Sequence, residues 1–229
     1  MTSAAQLTVQ LTAQLGASAE APPRAHAVDP ETVRPARRAD CADIARLFLI
    51  ASDGLAAYIW RQVGPPGAAP LEVGRRRYAR EGVAFSYRNC LVAERDGEVA
   101  AMLHSFPMAP REEGDHSAAK SDETDQTEDP VLAPYAALED PGSLYVAGLA
   151  VYPEHRGRGL GRRLMAEARA RAETLGLPRL SLICFERNQR ALTLYRRLGF
   201  VEVDRRPIVP HPSLEVRDGD ALLLVRGLD

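Results

Sequence analysis

The chain has 229 residues, 45% of them hydrophobic, and its 29 basic and 31 acidic side chains leave a net charge of −2. That length suffices for one domain with a sizeable core. The charge balance argues against a nucleic-acid-binding domain, which would be basic.

No run of about 18 apolar residues is present to span a membrane. Met1–Glu20 lacks the basic start and compact apolar run of a secretory signal. Cys41, Cys90 and Cys184 are odd in number, far apart and set in apolar patterns. They read as buried thiols in a reducing cytosol, so no disulfide or metal is expected and the expected location is cytoplasmic. Lys120 is the only lysine, which leaves arginine as the cation for any phosphate.

Residues 1–30 are rich in Ala, Thr and Gln, then Ala and Pro, and read as a flexible tail. Thr32–Arg38 suggests a first strand. Asp40 is placed to cap a helix in which Ile44, Leu47, Phe48, Ala51 and Leu55 recur at helical spacing. Tyr58-Ile59-Trp60 carries the apolar character on to Val63, where Gly64-Pro65-Pro66-Gly67 stops it. Leu71–Arg80 predicts a second, basic helix. Cys90–Arg95 and Glu98–Phe106 read as strands joined at Asp96-Gly97, a strong hairpin signal.

An acidic insertion occupies about 108–143. Its Glu112, Glu113, Asp115, Asp122, Glu123, Asp125, Glu128 and Asp129 come with too few apolar residues to order the segment, so a mobile loop is expected. Val131–Leu138 is expected to return as a short helix. Recruitment of a cationic substrate by this loop is the sharper reading, and a solvated surface is the commoner one.

Leu144–Val151 is an apolar strand pattern that turns at Pro153–His155. It then enters a helix through Arg156-Gly157-Arg158-Gly159-Leu160-Gly161. Strand, glycine loop and helix start make an anion site: free amides and the helix dipole favour negative charge, and glycines let the backbone close on a diphosphate. A nucleotide-triphosphate loop would need Lys-Ser/Thr after Gly161, where Arg162-Arg163 stands. A dinucleotide loop would need a different glycine spacing and an N-terminal βαβ unit. Leu160–Leu175 is amphipathic and stops at Gly176, and Leu180–Phe185 is the next strand. This crossover makes the two strands parallel neighbours, with a ligand past their C-terminal ends. Asn188–Leu198 predicts another helix closed by Gly199. Asn188, Ala191, Tyr195 and Leu198 share one face of it, starting where the second parallel strand ends. Phe200–Pro207 and Asp220–Arg226 are closing strands.

In order and at this distance, Leu149-Ala150-Val151-x-Pro153-x-x-Arg156-Gly157-x-Gly159-x-Gly161 and Asn188-x-x-Ala191-x-x-Leu194-Tyr195-x-x-Leu198-Gly199-Phe200 resemble the cofactor half of the GNAT acetyltransferases. The Phe48–Trp60 region and Tyr87-Arg88-Asn89 resemble a bacterial subgroup of that family, of unassigned substrate. The likeness to the family covers Leu144–Val203 closely and Val33–Phe106 by element order. It implies a single α+β domain over 31–229, with a mixed, mostly antiparallel sheet of six or seven strands and helices on both faces. A splayed parallel strand pair would bind acetyl-CoA, with no metal.

The resemblance also implies roles. The backbone of Leu149, Ala150 and Val151 would pair with the pantetheine and acetyl group. The amides of Arg156, Gly157, Arg158, Gly159, Leu160 and Gly161 would hold the pyrophosphate, with Arg162 beside them. Gly148 would mark the bulge that splays the strands. Asn188 would bond the pantetheine arm, and Tyr195 would protonate the departing thiolate; a phenol near pKa ~10 can donate as charge develops on a sulfur near ~8.5.

The expected activity is acetyl transfer to a primary amine of a small molecule or peptide, by direct attack in a ternary complex. No nucleic acid or membrane is expected as a partner, and a homodimer rests on the family likeness alone. The alternative is a catalytically inactive acyl-CoA-binding regulatory module. Tyr195 argues against that, and the lack of any carboxylate or imidazole from Leu144 to Val151 argues for it. Tyr145 is the one group there placed to relay a proton through water. Glu139 and Asp140 precede the strand, and His155 reads as a turn residue on the pyrophosphate side. The acceptor pocket is expected between the first two helices, the central strand and the loop of the last strands. Tyr58, Trp60, Tyr87 and Tyr145 are its aromatic candidates, each more often core.

Overall fold

The computed structural model describes residues 31–109 and 129–228. The N-terminal tail and the acidic centre of the insertion lie outside them.

The strands are β1 (Glu31–Pro35), β2 (Cys90–Arg95), β3 (Glu98–Pro107), β4 (Leu144–Val151), β5 (Arg179–Phe185), β6 (Val201–Pro207) and β7 (Asp220–Gly227). The helices are α1 (Cys41–Ala51), α2 (Leu55–Val63), α3 (Pro70–Tyr78), the single turn α4 (Ala133–Ala136), α5 (Leu160–Thr174) and α6 (Gln189–Arg197). The strands form one sheet of seven in the order β1-β2-β3-β4-β5-β7-β6. Only β4 and β5 run parallel, so the expected mixed, mostly antiparallel architecture is the one observed.

The hairpin signal holds: Asp96 and Gly97 both have positive φ, as a tight primed turn requires. Two expectations in the first third of the chain do not. Asp40 does not cap α1 with its side chain; its carboxylate takes the Arg37 N–H at 2.6 Å and the Arg34 guanidinium at 2.7 Å. The apolar run from Ile44 to Val63 is two helices rather than one, because Asp53 (φ 45°) and Gly54 (φ 95°) turn left-handed between them.

The sheet buries both faces. On one, Leu160, Leu164, Met165, Ala168 and Ala172 of α5 and Leu192 and Tyr195 of α6 pack on Leu144, Val146, Leu180, Leu182 and Cys184. On the other, Ile44, Leu47 and Phe48 of α1 join Trp60, Val73 and Tyr78 over Val92, Met102 and Ala150. Beside that second layer, Val131, Tyr135 and Leu138 pack with Phe185, Ile208, Leu214 and Leu223. Apolar burial of this kind contributes about 1.5–3 kcal/mol for each large side chain. All three cysteines are free and buried, which fits the structural role read from their spacing. Among the described residues no helix is long and apolar enough to cross a membrane.

Behind β4 sits a buried aromatic group that the sequence reading passed over. His104 on β3 accepts from the Tyr78 hydroxyl through Nδ1 (3.1 Å) and donates from Nε2 to the Ala84 carbonyl (3.0 Å). Phe48 and Phe85 lie edge-on to its ring and Phe106 is tilted against it. Burial holds the imidazole neutral, with its pKa pushed down to about 4 from 6.5. The unfolded chain therefore binds this proton more readily than the folded one. The resulting stability is complete above pH ~6.5 and is lost as pH falls towards ~4, on the order of 3 kcal/mol for this one group. Urea unfolding at pH 7 and pH 4.5 should show that loss, and His104→Gln should be flatter across the same window.

Candidate active site

β4 and β5 pair over only two positions, Leu144 with Leu180 and Tyr145 with Ser181. Beyond Ser181, β5 pairs on its other side with β7 alone, while β4 stays paired to β3. The β4 edge from Val146 onward therefore carries peptide groups with no strand partner. This is the geometry in which an extended ligand can add as a strand.

The splay begins at a bulge. β3 pairs Ser105 with Val146 and His104 with Gly148, so Ala147 is the extra residue. The bulge thus sits one residue before the glycine expected to mark it. Gly148 is glycine for a different reason: a Cβ there would stand 2.8 Å from the Phe48 ring. The bulge also resets the alternation of side chains. Leu149 and Val151 turn to the α5 face, and Ala150 to the α1–α3 face.

Past β4 the chain makes a 3-10 turn at Pro153–His155 and enters α5. The Arg156 guanidinium folds back on the Val151 carbonyl at 3.1 Å. Gly157 (φ 80°) and Gly159 (φ 85°) are left-handed, and a Cβ on either would meet nothing within 4 Å. Backbone conformation, not crowding, requires glycine here. No side chain caps α5 and its first turn holds no acid, so the starting amides face open space. Gly161 is packed differently, with Leu194 of α6 3.4 Å from where its Cβ would be.

These parts enclose a cleft of about 790 Å³. Leu149–Val151, Arg156, Gly157, Gly159–Arg162, Asn188 and Tyr195 all line it, and Arg158 and Tyr145 do not. Tyr195 is 8% exposed and sits edge-on to Phe200 at 5.7 Å. Burial, then Cys184 and Tyr145, raise its pKa well above that of a free phenol, so it keeps its proton at neutral pH. Tyr145 lies edge-on to Phe106 at 5.6 Å and is raised likewise, by burial and then by Glu139. His155, read as a turn residue, lines the cleft. Asn188 is the α6 N-cap, its Oδ1 accepting from the Ala191 N–H at 3.1 Å.

The other candidates for an acceptor pocket are placed elsewhere. Trp60 is core against α3 and Phe48. The Tyr87 hydroxyl donates to Glu81 at 2.5 Å, and that of Tyr58 to Asp129 at 2.8 Å.

Among the lining residues not found from sequence, which include Arg190 and Arg197 of α6, one is a carboxylate: Asp53, in the turn between α1 and α2. The Asn188 side chain acts on the Asp53 carboxylate and favours its charged form. Burial, then Glu215, raises its pKa above the usual carboxylate value. The Ser52-Asp53-Gly54 triplet was the available signal; such residues favour turns and left-handed backbone.

The acetyltransferase (GNAT) family model matches residues 56–200. Among solved structures, agmatine N-acetyltransferase is 20% identical, with 87% of this chain covering 100% of that one at a TM-score of 0.58. A Salmonella typhimurium protein solved with its cofactor acetyl-CoA is also 20% identical, over 88% of this chain and 95% of that one, at 0.56. A ribosomal-protein-alanine N-acetyltransferase from Brucella melitensis is 23% identical, over 86% and 99%, at 0.56. At these identities the solved structures share the fold. No curated protein matches the chain. The family match spans more than half of the chain, in the part that holds both motifs and the splayed strands: the protein belongs to the GNAT acetyltransferase family.

Proposed function

We propose that the chain transfers an acetyl group from acetyl-CoA to a primary amine of a small molecule or peptide, by direct attack in a ternary complex. The observation that carries this reading is the unpaired β4 edge from Val146, which opens into one cleft with the glycine loop and Tyr195. The residues present fit the co-substrate. Gly157 and Gly159 leave room above their backbone, and the α5 amides are uncapped. An extended pantetheine arm matches the free edge of β4. Bound there, acetyl-CoA supplies an activated acyl group.

The chain's own groups then have distinct tasks. The amides of Gly157 and Gly159–Gly161, with Arg162, hold the pyrophosphate; Arg158 lies outside the cleft lining, and the Arg156 amide is bonded to the Pro153 carbonyl. Leu149–Val151 fix the arm, and a backbone N–H of the free edge donates to the carbonyl oxygen as it gains charge. Tyr195 gives its proton to the leaving sulfur, and Tyr145, which lies outside the cleft lining, is the proposed relay for its replacement through water. Asn188 spends one lone pair of Oδ1 on its cap and bonds the pantetheine with the rest of its amide.

A phenol lining the cleft favours turnover over a purely regulatory acyl-CoA sensor, since binding alone does not require a proton donor at the sulfur. The test is calorimetric titration with acetyl-CoA, with ATP and NAD as controls, followed by thiol release across a panel of primary amines. Selective acetyl-CoA binding with amine-dependent thiol release is expected. Absence of acetyl-CoA binding would remove the reading, and binding without any amine-dependent release would favour the sensor.

A further inference from the structure

The reaction needs its acceptor nitrogen unprotonated, and the central strand supplies neither a carboxylate nor an imidazole. The break between α1 and α2 brings one to the cleft. Asp53 lines the cavity together with Ala147, Gly148, Cys184 and Tyr195. Its backbone is left-handed, and the turn is held from outside. The Glu215 N–H donates to the Asp53 carbonyl at 2.9 Å. A Cβ on Gly54 would stand 2.6 Å from the Ser213 carbonyl, so the loop between β6 and β7 closes directly on this turn. Asn188, at the start of α6, lines the same cleft, and its side chain acts on the Asp53 carboxylate. Asp53 thus shares the cleft with the helix that presents Tyr195.

We propose that Asp53 is the carboxylate on which the acceptor docks as its ammonium ion and to which that ion gives up a proton before attack. The inference rests on the acetyl-transfer reading above and adds its acceptor side. The ammonium passes one proton to the Asp53 carboxylate, which returns it to solvent. The nitrogen lone pair bonds the thioester carbonyl carbon and the carbon–sulfur bond breaks. The nitrogen loses its second proton as the amide forms, and the sulfur gains one from Tyr195, which is reprotonated from solvent. One proton is released overall.

A second carboxylate acts on this group: Glu215 of the β6–β7 loop raises the Asp53 pKa, and Asp53 in turn acts on Tyr135 of α4 and Cys184 of β5. The cations in the lining of the cleft are Arg156 and Arg162 of the glycine-loop side and Arg190 and Arg197 of α6, and Arg196 acts on Cys184. The Tyr135 hydroxyl is buried with no hydrogen-bond partner among the described residues, and its residue is 8% exposed. Burial, and after it Glu215, raises the proton affinity of Asp53, which makes it a better base than a free aspartate.

Asp53→Asn is the decisive variant, because asparagine tolerates the left-handed backbone and keeps the shape. The probes are n-butylamine and 1,4-diaminobutane, read by thiol release, with acetyl-CoA affinity measured separately by calorimetry. Acetyl-CoA affinity should stay within about two-fold, while kcat/KM for the amine at pH 7.5 should fall about 100-fold. The pH profile should change shape. The wild-type chain should show a plateau between the carboxylate and the amine, and the variant should rise ten-fold per pH unit towards the amine pKa, near ~10. Glu215→Gln should move the acid limb of the plateau to lower pH and lower kcat/KM on the plateau a few-fold, because Asp53 becomes a weaker base. For Asp53→Asn, a kcat/KM within about three-fold of wild type, with the plateau intact, would overturn the assignment. A wild-type chain that does not bind acetyl-CoA would instead count against the transfer reading itself.

Discussion

Gly159→Glu should abolish acetyl-CoA binding. Gly159 stands at φ 85° as the residue before α5, and the space above it is open. A side chain would meet no protein atom, so two terms decide the outcome. Holding a non-glycine residue left-handed costs about 1–2 kcal/mol. The added carboxylate then faces the position assigned to the pyrophosphate, where like charges about 4 Å apart repel by about 4 kcal/mol at an effective dielectric of 20. Together these weaken binding by on the order of 1000-fold or more. Gly159→Ala carries the first term alone and should lose only about ten-fold. Calorimetric titration of both variants checks this. Normal acetyl-CoA binding by Gly159→Glu would show that the loop does not hold the cofactor.

Tyr195→Phe should separate turnover from binding. The ring is core, packed against Phe200 and the α6 face of the sheet, and phenylalanine keeps that packing. Only the hydroxyl is removed. Because the phenol holds its proton more tightly than a free tyrosine, it donates to the sulfur only once thiolate character is well developed. An effect at the lower end for a general acid is therefore expected, about 100-fold in kcat, equal to about 2.7 kcal/mol. The Kd for acetyl-CoA should move by less than about two-fold. Thiol release under saturating acetyl-CoA measures the first and calorimetry the second. An unchanged kcat would remove Tyr195 from the acid role.

The parts of the fold that were legible are those with a local cause. The hairpin at Asp96-Gly97, the α5 stop at Gly176 (φ 66°) and the α6 stop at Gly199 (φ 84°) each follow from a residue that accepts positive φ where its neighbours do not. The strand–loop–helix of Leu144–Ala166 is legible for the same reason: glycine spacing and apolar runs act over a few residues. The failures have non-local causes. Asp40 looks like a helix cap until β1 brings Arg34 to its carboxylate. The apolar stripe from Ile44 to Val63 looks continuous, because a break of three residues disturbs helical spacing little. What stabilises that break is the β6–β7 loop, some 160 residues later in the chain.

The sequence by itself determined the strand, the glycine loop, the α5 start and the α6 face with Asn188 and Tyr195, all of which follow from adjacent residues and backbone preference. The tertiary structure alone decided the α1–α2 side of the cleft. It set the bulge at Ala147 rather than Gly148, the role of Gly148 as a seat for Phe48, and the arrival of Asp53 beside Asn188. Each depends on how distant strands register and on which helix packs over them, and side-chain spacing along one segment carries no record of either.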